Sequence, residues 1–194
     1  MYNQKDHYFL KAKKDGFRAR SSYKLIEITK KYQLIKKNDS VLDIGCAPGS
    51  WLQVLKKITH ARIVGVDLVG IKPIEGVIFI QGSIEDKTVQ EQLKGKFDVV
   101  LSDIAPKTSG MRERDQTLSY ILSKKSFLIA KSVLNTNGNF LVKTFQSQET
   151  QDLVKEIKPY FSFVKRYIPQ STRQGSKEIY IVATGFKEKK KIIS

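Results

Sequence analysis

Asp43, Gly45, Pro48 and Gly49 fall in the run Asp43-Ile44-Gly45-Cys46-Ala47-Pro48-Gly49-Ser50-Trp51, after a short apolar stretch (40–43) and before a helical pattern (51–58). Glycine lets a backbone approach a ligand closely, so strand, glycine loop and helix in this order describe a nucleotide site. The spacing is D-x-G-x-x-P-G rather than the G-x-G-x-x-G of a pyrophosphate turn, and an acid stands where a phosphate would be repelled. An acid there suits a cationic or hydroxyl-rich ligand. S-adenosylmethionine, with its sulfonium and amino group, is such a ligand. A second set of residues offers proton chemistry: Asp103 and Lys143 each follow an apolar stretch, Lys24 follows a basic run, and Glu178 opens the last stretch. A lysine partly withdrawn from water and near other cations loses its proton more readily and can act as a base toward a ribose 2′-hydroxyl. Carboxylates beside it would fix its position. A sulfonium methyl is already activated, so the remaining task is alignment. Taken alone, Lys24 reads as a surface ion-pair partner. Lys143, directly after Leu141-Val142, fits that description poorly.

These residues need a scaffold that collects them. Apolar periodicity predicts a helix over 21–32, with Ser21 or Ser22 as its cap. Strands are predicted at 41–44, 62–66, 77–80, 97–101, 139–142, 161–167 and 179–183, with helices at 51–58, 87–93, 115–134 and 150–160. Strand alternating with helix implies a parallel sheet covered on both faces. The last two strands are joined by a loop (168–177), which predicts a closing hairpin with the final strand antiparallel. Asn137-Gly138 is a turn signal ahead of the fifth strand. In open α/β sheets the ligand sits beyond the carboxyl ends of the strands. Those ends carry Asp43 and the glycine loop, then Asp67, whose carboxylate suits the two hydroxyls of a ribose. Next come Gln81-Gly82-Ser83-Ile84, where Ser83 and nearby backbone suit an adenine edge, then Asp103, then Lys143.

The chain has 194 residues, enough for one domain with a full core, and no repeat or linker divides it. A single cysteine, Cys46, excludes a disulfide framework and a multi-cysteine zinc site, and fits a reducing interior. The N-terminal residues lack the apolar stretch of a signal peptide, and no run reaches membrane-spanning length, so a cytoplasmic protein is expected. The formal charge is +16, unevenly placed: residues 1–38 hold 11 Lys/Arg against 3 Asp/Glu, and residues 155–194 hold 10 against 3. Such ends point to a polyanion partner, most simply nucleic acid. His7, Tyr8, Phe9, Phe17 and Tyr23 lie among Lys5, Lys11, Lys13, Lys14, Arg18, Arg20 and Lys24, and stacking faces beside cations suit unpaired bases. Lys189-Lys190-Lys191 reads as solubilising charge. The segment 107–114, which mixes Gly110 with Lys107, Arg112 and Arg114, reads either as a loop that closes over RNA or as an ordinary helix lead-in. His7 and His60 stand far from the carboxylates, so no metal is expected.

The motifs together resemble the FtsJ/RrmJ family of S-adenosylmethionine-dependent RNA ribose 2′-O-methyltransferases. The resemblance runs from Phe17-Arg18-Ala19-Arg20-Ser21-Ser22-Tyr23-Lys24-Leu25 to Glu178-Ile179-Tyr180-Ile181-Val182-Ala183-Thr184-Gly185. Between them lie the Asp43–Trp51 run, Ser102-Asp103-Ile104-Ala105-Pro106 with Ser109-Gly110, and Val142-Lys143-Thr144-Phe145-Gln146. It implies a Rossmann-like methyltransferase fold: a seven-stranded, mostly parallel sheet, its last strand antiparallel, with helices on both faces. It implies a Lys-Asp-Lys-Glu tetrad at Lys24, Asp103, Lys143 and Glu178, with Lys143 the proton acceptor, and donor contacts at Gly49, Trp51, Asp67 and Asp103. The family often has an acid where this chain has Ser83. The organisation implied is one methyltransferase domain, with a basic RNA-binding arm and helix (1–38), a donor-binding catalytic core (39–185) and a basic tail (186–194). The compact family members methylate a ribose, usually of a uridine, in large-subunit ribosomal RNA, and that is the expected substrate. The tRNA anticodon loop is the alternative. A monomer suffices for all of this. A silent RNA-binding assembly factor on the same fold is the competing reading from another class, opposed by the intact tetrad. A nucleotide-dependent oxidoreductase is disfavoured by the missing G-x-G-x-x-G.

Overall fold

Val41–Ile44 (β1) is buried at every position, as a strand must be when helices cover both faces of a parallel sheet. Around it the computed structural model, which describes residues 7–93, 95–106 and 109–188, builds one seven-stranded sheet. The other strands are β2 (Ile63–Asp67), β3 (Val77–Gln81), β4 (Phe97–Ser102), β5 (Leu134–Phe145), β6 (Phe161–Tyr167) and β7 (Glu178–Phe186). Their order is β3-β2-β1-β4-β5-β7-β6. β7 runs antiparallel to both neighbours, and the other pairs are parallel. This is the α/β sheet with an antiparallel last strand that the sequence predicts. The order reverses between β1 and β4, which opens the switch-point crevice where ligands bind. Lys5, Lys107 and Lys189-Lys190-Lys191, named above, lie outside the described residues.

Period-two alternation along the strands sorts side chains into two cores. Leu25 and Ile28 of α2 (Ser22–Tyr32) and Trp51, Leu52 and Leu55 of α3 (Ser50–Ile58) pack on the face carrying Val41, Leu101, Leu141 and Val182. The opposite face carries Leu42, Val100, Val142 and Ile181. Val89 of α4 (Lys87–Gln92), Phe127 and Ala130 of α5 (Arg112–Val133), and Leu153 and Ile157 of α6 (Gln148–Ile157) cover it. A further helix, α1 (His7–Lys14), leans on α2 through the Tyr8–Tyr23 ring contact. The exposed edge strand β6 carries Lys165 and Arg166, charges that discourage pairing with another chain. No helix among the described residues is long and apolar enough to cross a membrane.

Three local expectations are corrected. Ser21 does occupy the N-cap position of α2, but its hydroxyl pairs with Ser50 Oγ (2.9 Å) and Ser22 Oγ donates to the Ala19 carbonyl, so neither caps the helix through its side chain. Asn137-Gly138 is an irregularity inside β5, not a turn before it. Asn137 has a φ of 65°, and the register with β4 shifts between Phe97 and Val99. A Cβ on Gly138 would lie 2.9 Å from the Asp98 carbonyl, so only glycine lets the two strands close up there. Finally, α5 begins at Arg112, so the second half of the expected 107–114 loop is its first turn. Ser109 N and Oγ both donate to Asp115 Oδ1 (2.8 Å each), tying the lead-in to the helix.

Candidate active site

At the carboxyl ends of β1, β2 and β4 opens a cleft of about 670 Å³, lined by Gly45, Asp67, Ser83, Asp103 and Lys143 among mostly apolar neighbours such as Ile44, Val66, Ile84 and Ile104. The glycine loop forms one wall. A Cβ at Gly45 would lie 2.3 Å from Ile104 Cγ1, so only a glycine fits between the two loops. Asp67 closes the β2 end: its Oδ2 accepts from Ala47 N (2.8 Å) and its Oδ1 from Val69 N (2.9 Å). Each oxygen keeps a lone pair for a ligand. Ser83 Oγ accepts from Glu85 N, and Glu85 pairs with Lys125 (2.8 Å) at the rim.

Asp43 lies beneath this loop with no exposed surface, and neither carboxylate oxygen has a hydrogen-bond partner. Burial pushes its carboxyl far above the ordinary range, and Asp103 and Asp67 push it further. Three acids around one cleft, one of them unpartnered, form a site poor for phosphate and suited to a cation. Pro48, Gly49 and Trp51 hold the loop from behind. Arg18 donates from Nη1 to the carbonyls of Pro48 (3.0 Å) and Lys72 (2.7 Å), and from Nη2 to that of Pro73 (3.2 Å). Gly49, at φ 98°, leaves room for that guanidinium. The Trp51 indole donates to the Ser21 carbonyl (2.9 Å), its ring centroid 6.1 Å from that of Tyr180. Gly45, Asp67, Ser83 and Asp103 thus line the cleft, whereas Asp43, Pro48, Gly49 and Trp51 stand behind it.

Lys24, Asp103, Lys143 and Glu178, scattered through the sequence, meet at the mouth. Lys24 Nζ lies 2.6 Å from Glu178 Oε2. Lys143 Nζ lies 3.1 Å from Asp103 Oδ1, 2.6 Å from the Asp103 carbonyl and 4.0 Å from Glu178 Oε1. Burial raises the Glu178 carboxyl, but Lys24 and then Lys143 outweigh it and hold the group below its ordinary value. The register explains the meeting. Lys143 is opposite Tyr180 and Phe145 opposite Glu178 on the β5–β7 ladder, so Lys143, Glu178 and Tyr180 share the face on which α2 brings Lys24.

Some groups that build this arrangement escaped sequence reasoning. Tyr180 is fully buried, and its hydroxyl donates to Asp103 Oδ1 (2.8 Å). Burial, then the nearby Asp103 and Glu178, keep that hydroxyl protonated. Its signal was its place two residues after Glu178, on the same face of a strand. Ser119, Ser123 and Ser126 form a buried stripe that lets α5 approach β4 and β5 closely. Ser123 Oγ donates to the Lys143 carbonyl (2.9 Å), Phe145 N donates to Ser119 Oγ (3.0 Å), and Ser126 pairs with Ser102 (2.9 Å). In sequence, serines at helical spacing carry no signal that separates them from an ordinary polar face.

The basic arm divides between residues turned inward and residues facing solvent. Tyr23 is buried against Tyr8 and Phe17, and its hydroxyl donates to Asp15. Arg20 reaches the Ser171 carbonyl and stacks over Tyr8. Phe9, at 56% exposure, and the exposed Lys13 and Lys14 face solvent. Cys46 is buried, and burial raises its thiol far above its ordinary value. His7 and His60 are exposed, and no group of three or more metal-ligating side chains occurs among the described residues.

Comparison with known proteins fits this geometry. The family described as FtsJ-like methyltransferase matches residues 17–186. The ribosomal RNA large subunit methyltransferase E of Methanoregula boonei is 44% identical over 186 residues, covering 94% of this chain and 96% of its own. The protein of the same name from Archaeoglobus fulgidus is 42% identical over 191 residues, covering 97% and 100%. A Plasmodium falciparum crystal structure described as a ribosomal RNA methyltransferase superposes with a TM-score of 0.76 at 35% identity, covering 88% of this chain and 98% of its own. With the family's motifs folded around one cleft on its sheet, this chain belongs to the FtsJ-like methyltransferases.

Proposed function

We propose that this methyltransferase uses S-adenosylmethionine to methylate a ribose 2′-hydroxyl, most simply of a uridine, in large-subunit ribosomal RNA, working in the cytoplasm as a monomer. One observation carries the reading: Lys143 stands at the mouth of an acid-lined cleft, held by Asp103 and, more distantly, by a Glu178 already neutralised by Lys24. The donor fits the residues present. Asp67 offers lone pairs for ribose hydroxyls, Ser83 and the backbone beside it face the adenine end, and Gly45 allows close approach. The acids Asp43, Asp67 and Asp103 favour a cationic methionine moiety. Pro48, Gly49 and Trp51 shape the loop that receives it. When bound, the donor supplies an activated methyl group. The chain's own residues then have two tasks, orientation and proton removal. Lys143, in its neutral form, accepts the 2′-hydroxyl proton on Nζ. Asp103 orients that amine and is itself oriented by Tyr180. Lys24 and Glu178 fix the other side of the acceptor. The basic arm and helix (1–38) bind RNA beside the catalytic core (39–185), and the tail (186–194) adds positive charge.

Transfer of labelled methyl from S-adenosylmethionine to unmodified large ribosomal subunits and to bulk tRNA tests this. Label at one alkali-resistant ribose of the large-subunit RNA, absent with Lys143→Ala, is the expected result. Label in tRNA would retain the chemistry and replace the substrate. Tight RNA binding with no transfer to any acceptor would overturn the reading in favour of a silent binding protein.

A further inference from the structure

A second cleft, of about 760 Å³, opens beside the first between the start of α5, the β5–α6 turn, β6 and the loop leading into β7. Its walls are polar. Arg112, Arg166 and Lys177 project cations from three separate elements, and Gln146, Gln148 and Gln151 present amides. Among the described residues the charged groups of those three cations enter no ion pair and no hydrogen bond. Two carboxylates also line the cleft, but both serve helix starts, where negative charge is favoured. Glu113 lies in the first turn of α5. Glu149, in the first turn of α6, accepts from Thr117 Oγ1. Backbone hydrogen bonding at the start of α6, then Ser147, holds its carboxyl below the ordinary range. Glu149 thus has an internal partner, whereas the charged groups of Arg112, Arg166 and Lys177 have none among the described residues.

Its position relates it to the proton chemistry. Gln146 N donates to the Lys177 carbonyl (2.8 Å), closing the same β5–β7 ladder whose previous rung pairs Phe145 with Glu178. Gln146 is three residues beyond Lys143, about 10 Å along an extended strand. Lys177 and Glu178 are adjacent and alternate across the sheet, so the tetrad and the second cleft flank one ladder end.

We propose that this second cleft seats the RNA strand flanking the target ribose. Arg112, Arg166 and Lys177 contact its phosphates, and the Gln148 and Gln151 amides face a base edge. The proposal rests on the reading of this protein as an RNA methyltransferase. The occupant follows from charge complementarity. Three free cations along a polar groove match a polyanion, whereas a protein partner would want a buried aromatic or aliphatic anchor that the walls lack.

The test is the salt dependence of binding to a fluorescent single-stranded RNA, alongside methyl transfer to large-subunit RNA. Each lost phosphate contact on a single strand flattens the log–log slope by about 0.7. The triple variant Arg112→Gln/Arg166→Gln/Lys177→Gln should therefore flatten it by about 2 and weaken binding on the order of 10–100-fold near 0.1 M salt. S-adenosylmethionine affinity and thermal midpoint should stay at the parental values, because all three side chains are exposed. Arg112→Lys/Arg166→Lys should keep the parental slope. A triple variant with parental slope and parental KM for RNA overturns the cleft assignment, even if the parent protein methylates RNA normally. A flattened slope in a protein that transfers no methyl to any RNA would keep the cleft and overturn the enzymatic reading.

Discussion

The two clefts flank the same end of the β5–β7 ladder but treat charge in opposite ways. In the inner cleft every tetrad charge has a partner within 3.1 Å, and Lys24 and Lys143 are each under a tenth exposed. In the outer cleft the cations are exposed and, among the described residues, unpaired. Buried charge is tolerable only when paired and hydrogen-bonded, and that pairing fixes geometry closely enough for proton transfer. Exposed free charge is poorly positioned but available at long range, which suits gathering a flexible polyanion. The difference separates a region built to align atoms from one built to attract a strand.

Substitutions can break that contrast, beginning with the largest effect. Lys143→Ala should lower methyl transfer by about 10²–10⁴-fold while sparing donor binding, measured by single-turnover kinetics and calorimetry. A surviving rate would make the inner pairing merely structural. Tyr180→Phe removes one hydrogen bond to a carboxylate, a contact worth about 1.5–3 kcal/mol, and should reduce kcat roughly tenfold with little change in KM for RNA. A change confined to KM would instead assign Tyr180 to RNA binding.

Asp43→Asn should raise stability while weakening the donor. Burial raises the Asp43 carboxyl, so the folded chain keeps that proton to higher pH than the unfolded chain. The associated stability is complete below the ordinary carboxylate range and is lost as pH rises through the folded value. Without the donor, the variant's thermal midpoint at neutral pH should rise by roughly 2–4 °C, the effect of about 1 kcal/mol in a chain of this size. A lower midpoint would show that Asp43 has a partner in solution.

Glu178 runs the other way. Lys24 and Lys143 hold it below its ordinary value, so its stabilisation is present above the ordinary carboxylate range and is lost as pH falls through the depressed value. Glu178→Gln should therefore be less stable than the parent at neutral pH, with the gap closing in acid. A gap independent of pH would refute the ion-pair account. The smallest effect belongs to Lys177→Ala in the outer cleft, which should flatten the RNA salt slope by about 0.7 and leave kcat at saturating RNA nearly unaltered.

Much of this protein is legible in one dimension. Alternating apolar strands and helices, the D-x-G-x-x-P-G loop and the absence of a helical pattern between 168 and 177 predict the sheet, its switch point and its antiparallel last strand. These follow from local pattern, because periodicity and glycine conformation are properties of neighbouring residues. Lys143 was also legible, as a charge directly after a buried strand.

The N-terminal arm was legible only in part, for a physical reason. Cations interleaved with aromatics describe an RNA surface and a packed corner equally well, and sequence carries no record of which atoms face solvent. Folding commits Arg18 to three carbonyls and Tyr23 to Asp15. Conversely, Arg166 and Lys177 drew no notice in sequence, and it is the pairing of β6 and β7 beside β5 that sets them near Lys143. The sequence by itself determined the element order, the sheet and the chemical types at its strand ends. Only tertiary structure decided that Lys24 meets Glu178 across 154 positions, that Tyr180 donates to Asp103, and that Arg112, Arg166 and Lys177 line one outer cleft. Those outcomes depend on register and on which backbone groups need partners, and both are settled when distant segments pack together.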